Sequence, residues 1–91
     1  MTIDTAIEIS EAMFAAAEVG AWDRVQELDT LRAAVLDELA FSAADRAKLV
    51  RLVRLNAAIA ERATEARDGR QADLRALARG RRATENYAAL A

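Results

Sequence analysis

The segment from Ala17 to Arg24, AEVGAWDR, is the sharpest junction between two helical patterns in this sequence. Apolar residues recur at helical spacing on both sides of it, and Gly20 supplies the left-handed residue that ends many helices. Asp23 then falls in the first turn of the next helix, where a carboxylate is favoured. Because the connection is so short, the junction predicts two antiparallel neighbouring helices.

The rest of the chain is also typical of helices, since it has no proline and is rich in alanine, leucine, arginine and glutamate. We predict a first helix over about residues 3–19, starting after Thr2, and a second from residue 21 or 22 to about 40. A third helix is predicted over about residues 43–79, with a possible bend at Gly69. We predict that residues 81–91 form a short, weak helix that can fold back onto the third helix. The expected fold is all-α: one domain, residues 1–91, forming an antiparallel three-helix bundle with a long third helix.

Apolar residues at helical spacing indicate the core of this bundle. In the first helix, Ser10 occupies one position of the otherwise apolar main stripe. Before the third helix, Ser42 and Asp45 resemble a capping box. The predicted stripe residues of helices one and two are Ile3, Ile7, Phe14, Ala17, Val25, Leu28, Val35 and Leu39. Of these, Phe14, Val25 and Leu28 are assigned to the core, together with Trp22.

The predicted third helix is too long for its neighbours. About 37 residues of helix span ~55 Å, whereas the first two helices span ~27 Å each. About half of the third helix therefore has no cover, although it still carries Leu74 and Leu77. We expect the chain's own C-terminus, a second copy or a partner to lie on this stretch.

Composition excludes several kinds of chemistry. The sequence has no cysteine and no histidine, so disulfides, thiol chemistry and histidine-based metal sites or general bases are absent. Its carboxylate pairs fall on charged helix faces, and it has no glycine-rich phosphate loop. We expect a protein that is not an enzyme and uses no cofactor or metal. Without a long apolar run or a basic leader, it is expected to be cytoplasmic and not in a membrane.

Charge is distributed unevenly along the chain. Residues 1–45 carry ten acids and two bases, and residues 46–91 carry five acids and eleven bases. Oppositely charged halves attract, which favours a bundle that closes on itself. The arginine clusters around Arg51 and Arg81 also suit nucleic-acid backbones, but the whole chain is acidic, so nucleic acid is an unlikely partner.

Binding of a partner helix fits the apolar third helix best, because a long apolar stripe without cover is what such binding requires. Two alternatives stay open: a structural homodimer through the same stripe, and a small regulator associated with nucleic acid. The predicted partner surface consists of Leu52, Leu55, Ile59, Ala63, Leu74 and Leu77. Arg32 either pairs with an acid on a neighbouring helix or meets the partner.

A residue pattern at the junction and along the third helix resembles that of the FliT family of flagellar export chaperones. At the first helix junction, family members carry Ala, a spacer and Gly-Asp-Trp-Asp, followed by Leu, Glu and Arg at helical spacing. Their third helix has a Leu-rich start and a basic end that runs into Ala and Tyr. Two positions depart from the family: Ala21 stands where Asp is usual, and Asp29 where Glu is usual. The matching positions are Ala17, Gly20, Trp22, Asp23, Leu28, Arg32, residues 52–59, Leu74, Leu77, residues 79–83 and Tyr87.

This resemblance, over about residues 10–88, implies a function. FliT-like proteins hold the filament-capping protein in the cytoplasm before secretion by binding its C-terminal helical segment, and they contact the export apparatus. In some bacteria they also inhibit the master regulator of flagellar genes. The family's C-terminal segment can cover the cargo site, which implies that Tyr87 and Leu90 belong to a self-inhibitory segment here.

Overall fold

A computed structural model describes residues 2–90 of the chain, with side chains described for residues 2–89. Three α-helices account for most of them: α1 (Ile3–Glu18), α2 (Trp22–Asp37) and α3 (Arg46–Leu90), with a 3-10 turn at Ala43–Asp45. No strand occurs within the described residues. The all-α prediction is confirmed, and the first two helices end within a few residues of the predicted limits.

The junction between α1 and α2 is a Schellman turn. Gly20 has a φ of 72°, its N–H donates to the carbonyl of Ala17 at 3.1 Å, and the N–H of Ala21 donates to the carbonyl of Ala16 at 2.9 Å. These two bonds satisfy carbonyls that the end of a helix leaves open, and the glycine takes the left-handed conformation without a Cβ penalty. The predicted role of Gly20 is confirmed.

The capping box predicted at the start of the third helix is present. The backbone N–H and the hydroxyl of Ser42 both donate to Oδ2 of Asp45, at 3.1 and 3.3 Å. The carboxylate thus satisfies a donor that would otherwise be open at the helix start. The first turn is a 3-10 turn, so the α-helix proper begins at Arg46.

The core is built around α1, which packs against both other helices. Its predicted main stripe, apart from Phe14, and the neighbouring positions are buried, because one side faces α2 and the other faces α3. The buried apolar residues are Ile3, Ala6, Ile7, Ile9, Met13, Ala16, Ala17, Val25, Leu28, Val35, Leu52 and Ile59.

Two of the predicted core residues lie at the edge of the core. Val25 and Leu28 are buried as predicted, but Phe14 and Trp22 are only partly buried. Trp22 is the first residue of α2, at the end of the bundle, and it lines an open surface depression together with Ile59 and Ala63 of α3. A spacing pattern places a residue on a face but does not show where that face ends.

The third helix departs most from the prediction. It does not stop near residue 79, and residues 81–90 continue it as the same helix instead of forming a separate C-terminal segment. Gly69 and Gly80 lie inside it, since one glycine costs only about 1 kcal/mol relative to alanine and strong helix formers surround both. The molecule is accordingly elongated, with extents of 73 × 20 × 19 Å.

Alanine substitution should have opposite effects on stability at the turn glycine, Gly20, and at a glycine inside α3, Gly69. Gly20→Ala forces a non-glycine residue into the left-handed region, so the free energy of unfolding should fall by about 1–2 kcal/mol. Gly69→Ala, inside a helix, should instead raise helicity and leave stability equal or higher by up to about 1 kcal/mol. A Cβ at either position meets no other atom within 4 Å, so steric contacts do not confound the comparison.

Urea unfolding followed by circular dichroism measures both variants. Equal effects of the two substitutions would contradict the assignment of Gly20 as the residue that closes α1.

Candidate partner-binding surface

Arg32 of α2 joins all three helices through its guanidinium group. It donates to the hydroxyl of Ser10 on α1 at 3.2 Å, to Oδ1 of Asp29 at 2.9 Å and to Oδ1 of Asn56 on α3 at 3.1 Å. Its side chain is only 12% exposed, and Ser10 is fully buried. Arg32 therefore pairs with Asp29 of its own helix and with uncharged groups of α1 and α3, and not with an acid on a neighbouring helix. Its contact with a partner stays a prediction.

Only Ser10 indicates this network in the sequence. Ser10 interrupts an apolar stripe, which is where a buried hydroxyl needs a hydrogen-bond partner. Asn56 gave no signal, because its contact depends on how α3 packs against the first two helices.

Two ion pairs connect the acidic first helix to the basic start of α3. Lys48 Nζ lies 3.1 Å from both carboxylate oxygens of Asp4, and Arg51 donates to Glu11. Each pair is about half exposed and contributes little stability alone. They show that the basic start of α3 faces the acidic first helix, and they favour internal pairing over nucleic-acid binding for these two bases.

These contacts also set the direction of α3. Asp4 meets Lys48, Glu11 meets Arg51, and the guanidinium carbon of Arg62 lies 5.9 Å from the ring centre of Phe14. Residue numbers rise together on the two helices, so α1 and α3 run in the same direction. Helix α3 therefore continues past the turn at Gly20, and we call its residues 71–90 the arm.

The predicted partner surface divides into two parts. Leu52 and Ile59 are buried, and Leu55 is partly buried against the core, so α1 already covers them. This corrects the expectation that Leu52 and Ile59 lie open to a partner. The helical face is the same throughout, but the short α1 covers only its N-terminal part.

The rest of the predicted surface is open. Ala63 is exposed, and Leu74 and Leu77 on the arm are 66% and 68% exposed. Tyr87 is 76% exposed and lies further along the straight helix, so the predicted covering segment does not cover the two leucines in this conformation. The side chain of Leu90 lies outside the described residues.

A second apolar surface, missed in the sequence, lies on the bundle itself. It is a groove between α1 and α3, lined by Phe14, Ala47, Val50, Arg51, Arg54, Leu55 and Ala58. The spacing of Ala47, Val50, Arg54 and Ala58 could have indicated an outward face of small and apolar residues, but the leucine stripe is stronger.

No group of three or more acidic side chains is placed to hold a metal ion in residues 2–90. Within the same range, no helix combines the length and apolar character needed to cross a membrane.

Comparison with known proteins gives a family match over almost the whole chain. The family model described as "Flagellar protein FliT" matches residues 2–89, which include both the bundle and the arm. No curated protein and no solved structure matches the chain.

The role of Arg32 can be measured. Arg32→Met keeps most of the side-chain volume but leaves the buried Ser10 hydroxyl and the Asn56 amide without this partner, so the free energy of unfolding should fall by about 2–3 kcal/mol. The matched control is Arg24→Met, which removes an exposed pair with Glu27 and should cost no more than about 0.5 kcal/mol.

A double-mutant cycle with Ser10→Ala isolates the pair. Coupling near zero, or equal losses for Arg32→Met and Arg24→Met, would show that Arg32 does not hold the bundle together.

Proposed function

Because the chain belongs to the FliT family and is therefore a flagellar export chaperone, we propose that its arm binds the C-terminal helical region of the filament-capping protein before secretion. The observation that supports this choice of surface is the apolar stripe at Leu74 and Leu77, which no other part of the described chain covers. Exposed apolar stripes on helices are typical sites for a partner helix.

The two leucines of this stripe contribute part of the free energy that specific binding requires. Full burial of a leucine side chain yields about 1.5–3 kcal/mol, so the two leucines supply a large share of a micromolar affinity before the cost of association. Small residues nearby, Ala76 and Gly80, let a partner helix approach the arm closely.

The wider setting is also part of the proposal. The protein acts in the cytoplasm, is not an enzyme, and contacts components of the export apparatus as well as its cargo. The absence of histidine and cysteine from the sequence supports a binding role over a catalytic one.

Self-inhibition by the C-terminal segment requires a second conformation. The straight helix leaves Leu74 and Leu77 open, so it corresponds to the form that accepts cargo. For residues 81–90 to cover these leucines, the arm must break, and Gly80 is the position between them where a break costs least.

Charge placed on the stripe should abolish cargo binding. Leu74→Glu with Leu77→Glu is expected to lower affinity for a C-terminal peptide of the filament-capping protein at least about tenfold, because two apolar contacts are lost. The control is Gln71→Glu with Asn86→Glu, which adds the same charge to other exposed positions of the arm. Isothermal titration calorimetry measures both.

Equal binding by the two double variants would exclude the arm stripe as the cargo site. Absence of binding by the wild-type chain would exclude this cargo.

The self-inhibition proposal has its own test with the same peptide. Gly80→Ala favours the straight helix by about 0.5–1 kcal/mol and should raise affinity about two- to fivefold, and deletion of residues 81–91 should also raise it. Gly69→Ala, which lies before the stripe, should leave affinity unchanged. Weaker binding after the deletion would show that the segment contributes to the cargo site.

A further inference from the structure

The groove between α1 and α3 has an apolar floor at a fixed place on the bundle. Phe14 is partly buried, and the guanidinium group of Arg62 lies over its ring. Leu55 packs against the core beside it, and Val50 is exposed. Because both α1 and α3 hold these side chains, the floor is formed before any partner arrives.

Positive charge lines this groove. Arg51 is at its side and pairs with Glu11, whereas Arg54 has no ion-pair partner among residues 2–89. Arg46 extends the line in an adjoining shallow surface that shares Val50 and Arg54. No acidic residue lines either surface.

The dimensions of the two joined surfaces suit a helix. They extend along α3 from Arg46 to Ala58, which corresponds to about 20 Å, or between three and four helical turns, and they reach Ala43 in the preceding 3-10 turn. Alanine at positions 47 and 58 leaves space for a second helix to pack closely, since small residues let backbones approach.

We propose that this groove is a docking site for an acidic amphipathic helix of another protein. Such a helix places leucine or alanine side chains over Phe14, Val50 and Leu55, and its flanking carboxylates pair with Arg54 and Arg46. Complementary charge of this kind fixes orientation and excludes basic helices. The groove is separate from the arm, so this proposal does not depend on the cargo site proposed above.

A second copy of this chain fits the groove poorly. Its exposed apolar stripe has both Asp73 and Arg81 beside Leu77, so it lacks the uniformly acidic flanks that would pair with Arg54 and Arg46. Its acidic helices, α1 and α2, already use their apolar faces in the core. The favoured occupant is therefore a helix from a different protein.

The test uses a designed peptide and the full chain. A labelled 16-residue peptide of alanine, leucine and glutamate, with leucine on one face and glutamate on both flanks, is titrated and followed by fluorescence anisotropy. The control peptide has lysine at every glutamate position. The acidic peptide should bind at least about tenfold more tightly, and its affinity should fall as salt rises.

Variants of the chain locate the binding. Arg54→Glu and Val50→Glu should each weaken the acidic peptide about tenfold or more, whereas Leu74→Glu on the arm should change it less than about twofold. Arg54→Met removes the charge but keeps the apolar stem, and it replaces Arg54→Glu if that variant does not retain the wild-type circular dichroism spectrum.

Three outcomes would overturn the proposal. The first is equal or absent binding of the two peptides, and the second is wild-type affinity in the Arg54 variants. The third is a dimer, seen by size exclusion with light scattering, that Val50→Glu dissociates, because a second copy would then occupy the groove.

Discussion

The hydrogen bonds of Arg32 hold the three helices in one arrangement. Helices α2 and α3 both pack mainly on α1, and Arg32 adds a direct connection from α2 to α3 as well as to α1. Hydrogen bonds are directional, and a buried guanidinium or hydroxyl without a partner is costly, whereas apolar contacts tolerate small shifts. A slip of α3 by one turn would separate Arg32 from Asn56. The network therefore selects one register out of several that the apolar stripe alone allows.

That register decides which residues are core and which are surface. With Asn56 at Arg32, Leu52 and Ile59 lie against α1, and the same face of α3 passes the turn at Gly20 before Leu74 and Leu77. The ion pairs of Lys48 and Arg51 with α1 agree with this register. The exposed stripe of the arm thus follows from two facts: α1 ends at Glu18, and α3 does not end until Leu90.

Local features were predictable from the sequence, and features that depend on three-dimensional packing were not. Gly20 and the Ser42–Asp45 pair have short-range causes, so the turn and the helix start could be located in advance. Leu52 and Leu77 belong to one periodic pattern of apolar residues. The pattern does not show that α1 covers Leu52 and ends before it reaches Leu77. The length of α3 was also missed, because Gly69 and Gly80 oppose a helix locally while their neighbours favour it. Among the site residues, the exposed position of Leu74 and Leu77 could be expected, whereas the groove at Phe14 depends on how α1 and α3 meet.

The two apolar surfaces differ in how their backbone is supported. The groove lies on the bundle, where α1 and the Arg32 network hold α3 in place. The arm has no such support within the described residues, and an isolated helix of about 20 residues is only marginally stable in water. A helix that covers Leu74 and Leu77 would add tertiary contacts to the arm and stabilise its helical form. Binding at the arm is therefore coupled to the stability of its helix, so Gly80 influences it, whereas binding at the groove depends on side-chain charge and shape.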